Sequence, residues 1–295
     1  MKRVAIIILN WNQEADTVEC LTSLKALKYE NYEIILVDNG SHDGSPDILQ
    51  KQFPNIKMIR NPKNLGFVGG NNVGIKETLK TGADYILLLN NDTVVEPDFL
   101  SLLVQTMEND KTVGVVSPKI MFYHDRKKIW FVGGNYLPII RKTNHKHYGE
   151  VDCGQVKKIT DVAWVSGCCM LIKREVVEKV GLFDPDYFNN YEDVDFCERA
   201  KVAGYKIMLV PQAKIYHKFA ASMGGKFSPY YTYYRTRNNL LFYKKTKQWL
   251  ALALNFLIFP AYSIIMSAKN REFGSIKTTF QAIFDFLRGK YGELA

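Results

Sequence analysis

Over the first ninety residues, four short apolar runs alternate with helix-patterned segments, and that alternation limits the fold more than any other feature of the chain. Residues 4–9 ("VAIIIL") are continuous and β-branched, and residues 17–27 then place Val18, Leu21, Leu24 and Leu27 at helical spacing. "YEIILVD" (32–38) reads as a second strand, followed by a Gly/Ser turn and a short helix with Pro46 in its first turn. "NIKMIR" (55–60) is a third strand. A glycine-rich loop, a helix over "NVGIKETLK" and a strand ending at Asn90 follow. This rhythm predicts an α/β fold, a Rossmann-like and mainly parallel sheet with helices on both faces.

Beyond Pro118 the pattern loosens. The stretch 122–160 is polar and rich in Lys and His, and it reads as mobile loops. Regularity returns with "VAWVSGCCMLIKREVVEKVG", a helix from about Glu192 to Ala203, and strands in "YKIMLVP" and "AKIYH". With 295 residues the chain has room for a large domain, taken as 1–225, and a helical extension, taken as 226–295.

The formal charge of +9 is uneven, because from Arg235 onward there are ten Lys or Arg against three acids. That same tail carries "WLALALNFLIFPAYSIIMSA" (249–268), free of charge and flanked by Lys244, Lys245 and Lys247 before it and Lys269 and Arg271 after it. Its length is close to the roughly 20 residues a spanning helix needs, while Asn255 and Pro260 suit a kinked or two-part helix. Docking in the interface of an anionic membrane, a true span, and an ordinary buried helix or dimer contact all fit, with membrane contact favoured. A homo-oligomer is compatible with the sequence. The five cysteines lack disulfide or CxxC spacing, and the adjacent Cys168 and Cys169 sit in an apolar run, so free thiols in a reducing compartment are expected. The apolar N-terminus is too short to span and ends in Asn-Trp-Asn, so it reads as a first strand and not as a signal.

Several segments bear on chemistry. "ILVDNGSHDGS" delivers Asp38 to a strand tip, where a carboxylate can meet a ribose or a base; a plain turn is the alternative. The turn after the first strand has no glycine, which disfavours an ordinary dinucleotide site. "NPKNLGFVGGNNVG" (61–74) puts four glycines before a helix, suited to close approach of an anion, without a Walker ending. The strand "YILLLN" stops at Asn90-Asn91-Asp92. There a single acid can hold a divalent cation if substrate phosphates complete its shell, although an Asx turn is also open. Glu192, Asp193 and Asp195 begin a helix, favoured there by the dipole, and crowding of carboxylates also suits a general base. His217 follows a strand, as a structural residue or a metal or phosphate contact. Arg235 and Arg237 stand among tyrosines; beside an apolar run they suit lipid phosphate better than nucleic acid, and no nucleic-acid partner is expected.

Taken in order, "IIILNWN", "VDNGSHDGS", "RNPKNLGFVGGNNVGI", "LLLNNDT", "VSGCCMLIKREVVEKVGLFDPDYFNNYEDVDFCERAKVAGY" and "KIYHKFAAS" make the chain resemble a bacterial family 2 glycosyltransferase of GT-A fold, of the rhamnosyltransferase-like group. The resemblance spans residues 4–222. It implies an inverting glycosyltransferase that moves a sugar such as rhamnose from a nucleotide-diphosphate donor to a lipid-linked or polysaccharide acceptor. The work would be cell-surface glycan synthesis at the cytoplasmic face of the membrane. It implies Asp193 as catalytic base with Glu192 its neighbour. Asn10, Asn12, Asp38, Asn39, Asn64, Gly66, Gly70, Asn71, Asn90 and Asn91 would form the nucleotide-sugar site. Asp92 and His217 would hold Mg²⁺ or Mn²⁺. The sequence departs from the family's DxD motif, since Asn90 stands where its first acid would be. A nucleotidyltransferase is disfavoured for want of a lysine-bearing loop at the first strand. The alternative from another class is a non-catalytic nucleotide-sugar-binding or scaffold subunit of a membrane glycan assembly.

Overall fold

The computed structural model describes residues 1–137, 141–219 and 228–294. β1 (Val4–Asn10), α1 (Glu14–Leu24), β2 (Tyr32–Asp38), α2 (Ser45–Gln52), β3 (Lys57–Arg60), α3 (Gly66–Thr81) and β4 (Tyr85–Asn90) follow one another as the alternating pattern requires. The four strands are parallel and lie in the order β4-β1-β2-β3. Residues 4–8, 35–37 and 86–89 are buried, which is why these strands read as unbroken apolar runs and do not alternate with polar residues.

The second half adds strands of both directions, so the sheet as a whole is mixed. β5 (Thr93–Val95) follows β4 directly, and α4 (Phe99–Asn109) leads into β6 (Val113–Phe122). β7 (Ile129–Phe131) pairs with β6, while β8 (Gly134–Tyr136) and β9 (Thr143–His145) form a separate ribbon. β10 (Thr160–Asp161) precedes β11 (Cys169–Lys173), which enters antiparallel between β4 and β6. After α5 (Arg174–Val180) and α6 (Glu192–Val202), β12 (Lys206–His217) runs parallel to β6 and antiparallel to β5 and β10. The chain then turns helical in α7 (Pro229–Lys245), α8 (Trp249–Lys269) and α9 (Phe273–Leu287). The boundary expected at residue 225 lies outside the described residues.

Register fixes where function can sit. Asn10 pairs with Asp38 and Leu9 with Asn90, so three polar strand ends meet at one edge of the sheet. His217 at the end of β12 pairs with Thr93, which brings it beside Asp92.

Three readings of the sequence are corrected. The glycine-rich stretch is not a loop before a helix, because α3 already starts at Gly66. A Cβ on Gly70 would come within 2.4 Å of a Leu9 methyl, so this residue lets α3 lie directly on β1. Gly66 itself has φ +71, and a Cβ there would meet the Phe188 carbonyl at 2.6 Å. The stretch 122–160, read as mobile loops, contributes β7, β8 and β9 and a cluster of buried aromatics. These strands are only three residues long, and β8 and β9 carry almost no apolar residues to mark them. Finally, α8 is a single 21-residue helix running through Pro260, not two pieces.

Candidate active site

The turn after β4 is closed by its own hydrogen bonds. Thr93 Oγ1 donates to the Asn90 carbonyl (2.6 Å), and the buried Asn91 amide donates to Thr17 Oγ1 (2.9 Å), which in turn donates to Asn10 Oδ1 (2.8 Å). Asp92 is thereby presented as a buried residue, 7 % exposed, with Oδ1 3.1 Å from His217 Nε2. The approach is an ion-pair contact whose angle misses a hydrogen bond, so Asp92 Oδ1 is buried without a donor, as is His217 Nδ1. Burial works to raise the Asp92 carboxyl, but the positive field of His217, with that of Lys218, holds it below its ordinary value. The Trp130 ring stands edge-on to His217 at 4.4 Å and fixes the imidazole plane. Lys218 is tied in turn to Asp16 (2.5 Å) and Glu19 (2.6 Å).

The orphaned oxygen of the buried Asp92 carboxylate, beside an imidazole that can coordinate in its neutral form, fits a divalent cation. Among the described residues no group of three His, Cys, Asp or Glu side chains converges on a metal site. Two protein ligands then leave several coordination positions to be filled by substrate oxygens, the usual arrangement for Mg²⁺ at a phosphate.

Asp193 lies in the first turn of α6. Its Oδ2 accepts from the Gly167 amide (3.0 Å) and its Oδ1 from the Val194 amide (2.8 Å), so the carboxylate has one orientation. Burial pushes its affinity for a proton above the usual carboxylate range, against those backbone bonds. Glu192 is raised much further, first by burial and then by the Asp193 charge, and its Oε2 has no hydrogen-bond partner. Burial thus holds both carboxyls above their ordinary values, and the Asp193 charge adds to the effect at Glu192. Asp195 belongs to the scaffold, paired with Arg199 (2.7 Å) and receiving the Tyr187 hydroxyl (3.2 Å).

The loop before α6 is strained. Phe188, Asn190 and Tyr191 all have positive φ (58°, 66° and 75°), a conformation that L residues seldom take. It is held from α7. Asn238 Nδ2 lies 2.7–2.8 Å from the carbonyls of Tyr187, Asn189 and Asn190. Arg237, 1 % exposed, donates to the carbonyls of Asp186, Tyr187 and Gly292, and Asn239 donates to the Tyr191 hydroxyl (2.7 Å). The sequence reading of Arg237 as a lipid-phosphate contact is thus corrected: its guanidinium is consumed by backbone oxygens inside the protein. Its neighbour Arg235 is different and lines the cavity described next.

A cavity of about 370 Å³ brings together Asn90, Asp92, Glu192, Asp193 and His217. Arg235, read from sequence as suited to lipid phosphate, shares its wall with Trp130, Lys142 and Tyr262, which the sequence did not single out. The other expected residues gather at the same sheet edge, outside that lining. Asp38 accepts from Asn10 (3.0 Å) and from the Ser41 hydroxyl (2.6 Å) and amide (3.2 Å). Asn10 is wholly buried in this network, while Asn12, at φ 52°, accepts the His42 amide. Asn39 bridges Asn61, Asn64 and the carbonyl of Gly66, and Asn71 donates to the Phe67 carbonyl (2.9 Å). These polar side chains shape the mouth of the edge through bonds among themselves.

A mixed α/β sheet with a carboxylate–imidazole pair and a raised carboxylate in one cavity at its carboxyl edge suits an enzyme of group transfer. The chain belongs to glycosyl transferase family 2, whose profile matches residues 5–181, and it is a glycosyltransferase. It is similar to the dTDP-rhamnosyl transferase RfbF of Shigella flexneri, 26% identical across 97% of this chain and 96% of that one. It is also similar to an N-acetylglucosaminyl-diphospho-decaprenol L-rhamnosyltransferase of Mycobacterium tuberculosis, 26% identical across 69% and 72% of the two chains. The fold matches that of the Pyrobaculum calidifontis mannosyltransferase PcManGT, solved with GDP-Man and Mn²⁺, with a TM-score of 0.63 and 16% identity over 98% of this chain and 88% of that one.

Proposed function

We propose that this glycosyltransferase is inverting and metal-assisted, that it takes a dTDP-linked deoxyhexose of the rhamnose type, and that it delivers the sugar to a lipid-linked acceptor. The observation that carries the proposal is the cavity itself, which holds the buried carboxylate Asp193 together with the buried pair Asp92–His217. The names of the two rhamnosyltransferases support the donor, and the second supports a diphospho-lipid acceptor.

The acceptor hydroxyl gives its proton to Asp193 as its oxygen attacks the anomeric carbon. The bond from that carbon to the diphosphate oxygen breaks, and the nucleoside diphosphate leaves with the electron pair. A single displacement inverts the anomeric centre. Asp193 suits the task because burial raises its proton affinity and the Gly167 amide fixes its direction. Burial and the neighbouring Asp193 charge both disfavour the ionised form of Glu192, which limits a second negative charge beside the base. Asp92 and His217 would hold Mg²⁺ or Mn²⁺, which when bound neutralises charge on the departing diphosphate. Asn90 lines the cavity as a neutral hydrogen-bonding group in place of a further acid. We assign the nucleotide to the neighbouring edge at Asp38, Asn10 and Asn12, with Asn39, Asn64, Gly66, Gly70, Asn71 and Asn91 shaping it.

The enzyme would work docked on the inner membrane surface. α8 is long and apolar enough to cross a bilayer, with 28% of its apolar window buried within the protein. Its middle, however, contacts cations: Lys142 Nζ is 3.9 Å from the Tyr262 ring, and Arg235 is 5.3 Å from that of Phe259. Spanning would carry both charges to the bilayer centre, at about 2.5–3.5 kcal/mol each. Lying in the interface leaves them in the cavity and still covers Leu257, Ile258 and Ile265 with lipid.

The test is thermal stability of the detergent-purified protein with dTDP, UDP or GDP, each with and without Mn²⁺, beside Asp92→Ala. A rise with dTDP that requires metal and vanishes in the variant supports the reading. A chain insensitive to every nucleotide would instead fit a scaffold subunit.

A further inference from the structure

The cations of α7 have different partners. Arg237 is used by carbonyls, Lys244 donates to the Tyr291 hydroxyl, and Lys245 pairs with Asp184 and Asp186. Arg235 lines the catalytic cavity, and its electrostatic neighbours are the tyrosines Tyr231, Tyr191 and Tyr262, with no carboxylate among them. Its guanidinium sits 5.6 Å from the Tyr231 ring centre and 5.3 Å from that of Phe259, which fixes its plane without neutralising it. Lys142 enters the same cavity and stands 3.9 Å from the Tyr262 ring. A half-buried guanidinium held by aromatics and facing a cavity is suited to a bidentate oxyanion.

We propose that Arg235, with Lys142, Tyr231 and Tyr262, forms a second anion site in the cavity, which takes the phosphate or diphosphate joining the acceptor sugar to its lipid. The inference rests on the transferase reading and adds the acceptor's recognition group to it. Two placements support it. In the transferase reading the metal site at Asp92 and His217 would serve the donor diphosphate, so the Arg235 guanidinium elsewhere in the cavity answers to a second anion. The helix that supplies Tyr262 to this wall also exposes Leu257 (71 %) and Ile265 (64 %). An anionic head can therefore lie in the cavity, near Asp193, while its hydrocarbon chain follows α8 out to lipid.

The experiment is calorimetric titration of the full chain in neutral detergent with EDTA, so that divalent cations play no part. The probes are geranylgeranyl diphosphate, geranylgeraniol and inorganic pyrophosphate. The expected result is that the prenyl diphosphate binds about tenfold or more tightly than either other probe. Arg235→Ala should lose that margin, and Arg235→Lys should restore part of it. Melting curves with dTDP and Mn²⁺ are recorded on the same variants, which also reports whether each is folded. If Arg235→Ala and Arg235→Gln bind the prenyl diphosphate as the wild type does, the site is overturned. Equal affinity for inorganic pyrophosphate overturns the lipid-linked source. In either case an intact dTDP response leaves the transferase reading standing. Loss of the dTDP response in the wild type, with prenyl diphosphate binding intact, would sink that reading and spare the anion site.

Discussion

Glu192 and Asp193 are adjacent in sequence and opposite in role, and the difference comes from what their oxygens touch. Asp193 receives two backbone amides; Glu192 has a buried oxygen with no donor. Both proton affinities are raised, so the folded state holds protons that the unfolded chain has released above about pH 4. The stability this pair contributes is complete below the unfolded carboxylate range and is lost as pH rises through the raised folded values. Glu192→Gln keeps the shape of the protonated acid and removes that loss. It should match the wild type near pH 4 and melt progressively higher than it toward pH 8; parallel melting curves across that range would refute the assignment. For catalysis the sign is reversed, since Asp193 must be ionised. Transfer should fall on acidification with a midpoint above the ordinary carboxylate range, and a midpoint near 4 in the pH profile of kcat/KM would contradict a buried base.

Among the elements, α7 acts on the site from outside the family-matched segment. Asn238 reaches three carbonyls of a loop with three left-handed residues, and Asn238→Ala would take that donor from the Asn189 and Asn190 carbonyls and leave Arg237 alone on that of Tyr187. A loss of about 3 kcal/mol in denaturant stability is expected. A fall in kcat with little change in nucleotide affinity should accompany it. Unchanged kcat in a folded variant would show that the loop needs no such support. This clamp was illegible in the sequence, because an Arg-Asn-Asn run in a tyrosine-rich helix gives no hint of which carbonyls it will meet. The parallel strands were legible because burial on both faces leaves continuous apolar runs, and Asp92 was legible because it ends one of them. α3 was misread at its start because glycine signals a loop locally, whereas here Gly70 is demanded by Leu9 across the helix–strand contact. β7 was hidden by its length, three residues in a lysine-rich stretch, although Trp130 within it positions His217.

For the whole molecule, the exposed apolar residues gather on the last two helices. Phe273, Phe280, Phe284 and Leu287 recur at helical spacing along α9, and Leu257, Ile258 and Ile265 lie on α8. With the basic excess of the tail, these faces should bind anionic vesicles in a salt-sensitive way. The paired change Leu257→Ser and Phe280→Ser should weaken flotation with such vesicles while leaving turnover of a detergent-solubilised acceptor in place. Undiminished flotation would place the membrane contact elsewhere. Tyr262 of α8 also lines the cavity, so the proposed membrane docking and acceptor capture would share one surface.

The most direct test of the central claim compares the wild type with Asp193→Asn using dTDP-rhamnose, Mn²⁺ and a lipid-linked N-acetylglucosamine acceptor. Transfer and nucleotide binding are measured on the same preparations. The account predicts that transfer falls about 10²–10⁴-fold while the metal-dependent dTDP shift in melting temperature is retained. Transfer at the wild-type rate in Asp193→Asn would contradict it.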